Sequence, residues 1–341
     1  MAENNRVLIL GELSKGKLSA GTRELLGGGR DLSDILGGML SLILLGDGLK
    51  AAGEESIAYG ADEVYLAENP ELKNYQADAY LQILETTIKN INPEILLMGQ
   101  TSMGRDLAPQ LAYRFKTGIA MDCVHLDVEP DPCLLRMTRP VYGCKALAVM
   151  TCKTKPQMAT VRCGAMKPKE PDESRKGKVE VIPAYIDESR VRTQVLGKVE
   201  KPADGIPLEI AQVVICGGRG MGSADSFSIL DELAQLLRGT VGASRPPCDA
   251  GWISSTRQIG LTGKIVRPDL YIAVALSGSS QHMAGCSDSK VIVAINKDPE
   301  ANIFSLAHYG IVGDYRQILP PFIRRVRQIQ ESKGEKDAAR A

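Results

Sequence analysis

Gln212-Val213-Val214-Ile215-Cys216-Gly217-Gly218-Arg219-Gly220-Met221-Gly222 is the stretch on which the reading of this chain turns. A short apolar, β-branched run ends in a glycine-rich turn, as a buried strand does. Behind it Phe227, Leu230, Leu233, Leu236 and Leu237 recur at helical spacing. Strand, turn and helix in that order form a βα unit. Its glycines let the backbone approach a phosphate, and its helix start offers free N–H groups. The spacing, Gly-Gly-x-Gly-x-Gly, differs from the Gly-x-Gly-x-x-Gly of dinucleotide folds. No acidic residue follows the next strand, Thr240–Ala243, to hold a ribose; Ser244-Arg245 stands there instead. The pattern predicts a nucleotide-binding parallel sheet without the NAD fingerprint.

Further strands are predicted outward from this unit, at 270–275, 291–295 and 311–313, and a last helix after Pro320. The strand ends carry polar or charged residues. Arg219 follows the first strand, and Ser244 and Arg245 follow the second. Gln258, Ile259, Gly260, Leu261 and Thr262 form a loop before Pro268. Ser277, Gly278, Ser279, Ser280, Gln281 and His282 follow the third strand, and Asn296 follows the fourth. Carboxyl ends of parallel strands open into the ligand crevice of such sheets. Five positions of this kind favour one extended anionic ligand.

The first 120 residues alternate apolar runs with helical patterns. Strands are predicted at Val7–Leu10, 42–45, 64–66 and 95–98. One helix carries Tyr80, Ile83, Leu84, Ile88 and Ile91 on one face. Another carries Leu107, Leu111 and Phe115. This alternation predicts parallel strands with helical crossovers. From about 120 to 186 the segments 134–137, 146–150, 158–162 and 179–182 are short and separated by Gly, Pro and Lys. They read as antiparallel strands or as extensions at the sheet edge. Gly104-Arg105-Asp106 sits at a strand-to-helix turn, where it faces a partner or an anion, or simply starts the helix.

Composition narrows the function classes. Of 341 residues, 44% are hydrophobic and 24% charged, the balance of a chain that buries a core. Lys+Arg 41 equals Asp+Glu 41, which argues against a nucleic-acid binder. Aromatics at 4% leave little for base stacking. No stretch approaches the roughly 20 apolar residues of a membrane span, so no direct membrane insertion is expected. The start lacks a secretory pattern, so a cytoplasmic location is expected. The eight cysteines include no Cys-x-x-Cys pair, which predicts reduced thiols and no metal.

Gly242-Ala243-Ser244-Arg245-Pro246-Pro247-Cys248-Asp249-Ala250-Gly251-Trp252 resembles the second-domain signature of the electron transfer flavoprotein alpha subunit. The resemblance continues through Gln258 to Gly263, Leu270-Tyr271-Ile272-Ala273 and Ser277 to His282. It then runs through Ile292 to Asp298 and Tyr309 to Asp314. In the first half it covers Gly104-Arg105-Asp106-Leu107-Ala108-Pro109, Thr117-Gly118, Asp122-Cys123, Thr138-Arg139-Pro140 and Pro156 to Arg162. Nearly the whole chain is spanned. Leu261 stands where the family commonly has Gln, and His308 where Asp is common.

The resemblance implies an α/β chain in two domains. An N-terminal α/β domain with added antiparallel strands spans 1–196 and meets the partner subunit. A linker follows at 197–207, then a C-terminal doubly wound parallel-sheet FAD-binding domain at 208–332 and a disordered tail at 333–341. It further implies one FAD and an obligate heterodimer with a beta subunit. The complex would carry electrons from an acyl-CoA dehydrogenase or similar flavin dehydrogenase to an acceptor such as a quinone reductase. Some members of the family bifurcate electrons from NADH, using a second flavin in the beta subunit. The chain is thus mainly a redox carrier. By similarity Arg219, Ser244 and Arg245 lie on the flavin side. Gln258 to Thr262 flank the isoalloxazine, with Thr262 near its central-ring nitrogen. Ser277 to His282 supply donors, with His282 reaching the pyrimidine carbonyl end. Asn296 and Asp314 hold the ribose, diphosphate or adenine part, and Tyr315 flanks it. Reduction puts negative charge on the pyrimidine end of a flavin, which a fixed Arg and a His donor would stabilise.

Two alternatives remain at this level. One is an NAD-dependent enzyme on the same kind of sheet, for which His282 is the plausible acid or base. The other is a nucleotide-sensing module without redox function.

Overall fold

A computed structural model describes residues 5–142, 144, 146–197, 199 and 205–338, the last six of these by backbone alone. The chain divides into two compact units, Met1–Val199 and Glu200–Ala341. Most of the expected linker, at 198 and 200–204, lies outside the described residues, as do 339–341.

The first unit holds the strands β1 (Val7–Leu10), β2 (Leu40–Gly46), β3 (Glu63–Glu68), β4 (Ile95–Gly99) and β5 (Ile119–Cys123). It also holds β6 (His125–Pro130), β7 (Cys133–Val141), β8 (Ala146–Met150), β9 (Gln157–Val161) and β10 (Lys178–Ile182). Seven of them form one sheet in the order β10-β3-β2-β1-β4-β9-β5, parallel throughout. Among the described residues the α-helices of this unit are α1 (Ala20–Leu36), α2 (Lys50–Ala58), α3 (Ala77–Ile91) and α4 (Ser102–Phe115). Alternate residues of β1 enter different cores. Val7 and Ile9 join the α1 side, while Leu8 and Leu10 join the side of α3 and α4. Every residue of β1, β2, β4 and β9 is buried. Such continuous apolar runs suit parallel strands covered on both faces.

Helix α1 contains Gly27-Gly28-Gly29, although each interior glycine weakens a helix by about 1 kcal/mol relative to alanine. Packing explains the choice. A Cβ at Gly27 would sit 2.1 Å from the Lys167 carbonyl oxygen, and one at Gly28 would sit 2.1 Å from Met166 Sδ. The helix is bare there so that the segment after β9 can cross it.

One of the expected antiparallel or edge segments is corrected. The segment 158–162 falls on β9, a parallel strand buried between β4 and β5. The segment 179–182 falls on β10, which extends the sheet at its edge, parallel to β3. The other two segments are antiparallel as read: β6, β7 and β8 form a separate sheet in the order β8-β7-β6. This small sheet takes the place of a helix in the crossover from β5 to β9. The strand–helix alternation that announces parallel pairing is therefore missing from that part of the sequence.

Gln157 joins the two sheets. It is 1% exposed at the start of β9. Its Oε1 accepts from the Leu135 N–H at 2.7 Å, and its Nε2 donates to the Cys133 carbonyl at 3.1 Å and to Glu94 Oε1 at 3.2 Å.

The second unit is a five-stranded sheet of β11 (Val213–Gly217), β12 (Thr240–Ala243), β13 (Leu270–Val274), β14 (Val291–Asn296) and β15 (Tyr309–Val312). The order is β12-β11-β13-β14-β15, all parallel. Helix α5 (Ser228–Leu236) packs on the face of Ile215, Val241, Ile272 and Ile295. Short helices α6 (Arg245–Asp249) and α7 (Ser280–Met283) precede the long α8 (Tyr315–Ala338). Tyr315, Leu319 and Ile323 of α8 share the α5 face. The opposite face, with Val214, Cys216, Tyr271 and Ala273, is covered by Leu208, Ile259, Val266, Met283 and Ile303. Helix α8 starts at Tyr315, ahead of the position expected after Pro320, with Pro320 and Pro321 in its second turn. Their missing N–H groups cost bonds only to the carbonyls of 316 and 317, close to the helix start. The backbone of 333–338 carries the same helix on.

Replacing Gln157 by Leu should strand the Leu135 N–H and the Cys133 carbonyl without changing the apolar packing much. We expect a loss of about 2–4 kcal/mol in urea unfolding. A loss below about 0.5 kcal/mol would mean that the two sheets are held together some other way.

Candidate functional site

In a 2-1-3-4-5 sheet the chain leaves the first strand toward one neighbour and later returns on its other side. A crevice opens at the carboxyl ends of those two strands. Here they are β11 and β13. Their ends are drawn together by backbone bonds from the Gly218 N–H to the Val274 carbonyl at 2.9 Å and from the Gly220 N–H to the Ala275 carbonyl at 3.1 Å. Ala275 has φ 51°, a left-handed conformation that turns the chain away from the strand. Gly218 is required by proximity: a Cβ there would lie 2.3 Å from the Ala275 oxygen and 2.4 Å from Leu276 Cα.

A cavity of about 460 Å³ lies at this point. Seven of the residues expected at the site line it: Arg219, Ser244, Ser277, Gly278, Ser279, His282 and Asn296. Gly220, Pro246, Ala275, Leu276, Asp298 and Ala301 complete the wall and were not anticipated as site residues. The signal for Asp298 was present, two residues beyond Asn296 at a strand end; its N–H bonds the Asn296 side chain at 3.0 Å. Asn296 also donates to the Leu276 carbonyl at 2.8 Å, so its amide braces the wall from both ends.

The remaining expected residues sit around this cavity or away from it. The loop from Gln258 to Thr262 is tied to α7. The Leu261 N–H bonds the Gln281 carbonyl at 2.7 Å, and Gly260 packs against Gln281 and His282. Gln258 Nε2 donates to Thr262 Oγ1 at 3.0 Å, and the Leu261 side chain is exposed. Ile259 is buried, with its N–H on the Ala243 carbonyl at 2.8 Å. Ser280 opens α7. Arg245 opens α6 and points its Nε at Asp249 Oδ2, 3.1 Å away, in an exposed pair. Asp314 accepts from the Arg316 N–H at 2.9 Å, capping α8. Tyr315 is buried on the α5 face and donates its hydroxyl to the Met221 carbonyl at 2.9 Å. Asp314 and Tyr315 are not among the residues that line the cavity, although the Gly313 N–H bonds the carbonyl of wall residue Asn296 at 2.9 Å.

His282 is a buried polar group of the wall, 5% exposed. Its Nδ1 lies 3.0 Å from the Ile259 carbonyl and its Nε2 lies 2.8 Å from the Tyr271 hydroxyl. Burial pushes the imidazole down to about 4, partly offset by the Ile259 carbonyl, so it is neutral at pH 7. Tyr271 was quoted only as part of a strand motif. The signal that could have found its role is a phenol in an apolar strand, whose hydroxyl must bond something.

The donor set suits a phosphate-bearing ligand. Arg219 is exposed, and three serines line the cavity from two strand ends, Ser244 after β12 and Ser277 and Ser279 after β13. Ala275, Leu276, Pro246 and Ala301 supply an apolar wall for a ring system.

Two family models match the chain. The electron transfer flavoprotein domain matches residues 7–187, and the electron transfer flavoprotein FAD-binding domain matches residues 207–287. The electron transfer flavoprotein subunit alpha of Thermoanaerobacterium thermosaccharolyticum is 43% identical over 331 residues, covering 97% of this chain and 100% of its own length. That of Bacillus subtilis is 42% identical over 327 residues, covering 95% and 98%. Protein FixB of Clostridium saccharobutylicum is 40% identical over 333 residues, covering 96% and 98%.

Gly218→Ala should force the ends of β11 and β13 apart. Overpacking of this kind costs about 1–3 kcal/mol, which thermal unfolding of the second unit would register. Wild-type stability in that variant would mean that the two loops do not touch.

Proposed function

The chain belongs to the electron transfer flavoprotein alpha family, and from that premise we propose that it is the FAD-binding half of a heterodimeric electron carrier. Electron transfer is the family's role, and FAD is its cofactor. In the proposed complex electrons come from a flavin dehydrogenase, such as an acyl-CoA dehydrogenase, and leave to an acceptor such as a quinone reductase. The observation that carries this reading is the cavity at the β11/β13 crevice, whose donors and apolar wall fit a flavin nucleotide.

When bound, FAD supplies the redox chemistry; the chain supplies a fixed environment. Arg219 would hold an anionic part of the cofactor. The hydroxyls of Ser244, Ser277 and Ser279 would bond oxygens along it, and Ala275 and Leu276 would exclude water from its ring. Gln258, Ile259, Gly260, Leu261 and Thr262 would flank the ring through the loop bonded to α7. Arg245 would act at longer range, because Asp249 already shares its charge. An NAD-dependent enzyme on this sheet would need a free acid or base. Its one candidate, His282, has both ring nitrogens within hydrogen-bond reach of Ile259 and Tyr271.

A partner surface is supported by the small sheet of the first unit. Leu147 and Val149 of β8 are each 64% exposed, beside exposed Met150 and Tyr142. Apolar groups clustered this way mark an interface. We assign this face to the beta subunit.

Arg219→Ala should weaken FAD binding roughly ten- to a hundredfold, the worth of a charge-assisted hydrogen bond. Fluorescence titration of the FAD-depleted heterodimer would measure it, and wild-type affinity would remove Arg219 from the site. Flavin counting on the native complex separates the two modes of action: one per heterodimer fits a simple carrier, whereas two would indicate a bifurcating complex.

Leu147→Asp combined with Val149→Lys should abolish co-elution with the beta subunit on gel filtration. A wild-type 1:1 complex from that double variant would place the interface elsewhere.

A further inference from the structure

The residues from Gln258 to Lys264 form a closed loop. The Lys264 N–H bonds the Gln258 carbonyl at 2.7 Å, the Gly260 N–H bonds the Lys264 carbonyl at 3.1 Å, and the Gly263 N–H bonds the Gly260 carbonyl at 3.0 Å. Gly263 permits the closure, since a Cβ there would lie 2.4 Å from the Gln258 oxygen. A loop bonded across itself shifts as one piece, so its place depends on what grips it from outside. The body of the unit grips it through the Ile259 N–H on the Ala243 carbonyl at 2.8 Å and the Leu261 N–H on the Gln281 carbonyl at 2.7 Å.

The segment that enters the second unit grips it as well. Gly205 runs beside Arg257, the residue before the loop: a Cβ there would lie 3.7 Å from Arg257 Nη2. Arg257 is itself fixed to β12, donating to Thr240 Oγ1 and, at 3.4 Å, to the Val241 carbonyl. Leu208, 3% exposed, shares a core with Ile259. Both side chains reach Gly242 of β12, where a Cβ would sit 2.4 Å from Ile259 Cδ1 and 3.3 Å from Leu208 Cδ2. Glu209 then pairs its carboxylate with Lys264 Nζ. The contacts keep the order of the chain, 205 with 257, 208 with 259 and 209 with 264, so the entering segment lies along the loop rather than touching it once.

We propose that Lys264 is a positioning residue: paired with Glu209, it straps the loop 258–262 to the entering segment and so sets that loop's distance from the cofactor ring. The proposal rests on the reading of this loop as a flank of the flavin ring. Leu208 holds the segment in the core, and the ion pair fixes which part of the loop meets it. Lys264 suits the task because its own N–H and carbonyl both close the loop, so a pull on its side chain is delivered to the whole piece. The paired side chains are 43% and 44% exposed, so the pair is worth a factor of about 1.4 to 5 in an equilibrium. That biases a loop without holding the unit together. Donors on the loop stabilise charge on a reduced ring only within hydrogen-bond reach, so a small displacement registers in the reduction potential.

The test uses the full chain with its beta subunit and the variants Lys264→Glu, Glu209→Lys and the two combined, which restores the pair with its charges exchanged. In the FAD-free complex, amide hydrogen exchange of 258–264 should quicken about two- to fivefold in each single variant and return to the wild-type rate in the double variant. The amides of Val214 to Gly217 in β11 should exchange as before. In the FAD-loaded complex both single variants should lower the midpoint potential, because both withdraw the loop, and the double variant should restore it. A charge acting merely through space would instead move the two single variants in opposite directions, which would overturn the proposal. So would unchanged loop exchange in both single variants, or a double variant no closer to wild type than they are. Lys264→Gln, which removes the pair without adding repulsion, gives the same exchange readout if a charge reversal prevents folding. If the variants alter loop exchange but FAD does not slow it in the wild type, the strap stands and the placing of the loop beside the flavin fails.

Discussion

The second unit depends on the contact between Gly218 and the backbone at Ala275 and Leu276. Parallel pairing of β11 with β13 brings the two strand ends level, but only a residue without Cβ lets the two turns close on each other. Once they are closed, Arg219 and Ser277 leave the same point on different chain segments, and the cavity between them follows. The left-handed Ala275 belongs to the same constraint, since it bends the chain after β13 into the wall rather than along the strand. The crevice is thus a product of backbone geometry before any side chain is considered.

Much of this was legible because parallel sheets in which helices connect the strands write a clear pattern. Val213 to Gly217 and Thr240–Ala243 are apolar runs ended by glycine or serine, and the helix between them repeats leucines at helical spacing. The same logic failed for β9, whose residues are as buried as those of β4, although Gln157 and Thr160 are polar, but are reached through a small antiparallel sheet. Local pattern reports what covers a strand, not which neighbour it pairs with. The pairing with β4 and β5 is a long-range matter, as is the bonding of Gln157 to Leu135 and Cys133 of the small sheet.

The site shows the same division. Residues directly after strand ends, such as Arg219, Ser244 and Ser277, could be placed by topology alone. Tyr315 could not: as the first residue of α8, it turns its ring to the α5 face and its hydroxyl to Met221. Each step in a helix rotates the side chain by about 100°, so the face a residue takes depends on where the helix begins. Tyr271 was overlooked for the converse reason. It lies inside a strand, and its hydroxyl stands 2.8 Å from His282 Nε2.

Both units have a parallel sheet with a reversal of strand order near its middle, so topology alone would allow a nucleotide in either. In the first unit the reversal lies between β1 and β4. There the residue two beyond β1 is Glu12, a carboxyl whose pKa is raised by burial and which accepts the Thr101 hydroxyl at 2.6 Å. That hydroxyl also caps α4 through the Gly104 N–H, so both ends of the helix-start anion site are already engaged. An incoming phosphate would meet a carboxyl instead of a cation, and a hydroxyl whose proton is committed. In the second unit the equivalent position, two residues after β11, is Arg219, exposed and part of the cavity wall. The two crevices therefore differ in the sign of the side chain at the same topological position. The backbone supplies the opening in each case, and the residue two past the first strand sets its charge: a carboxyl in one, a guanidinium in the other.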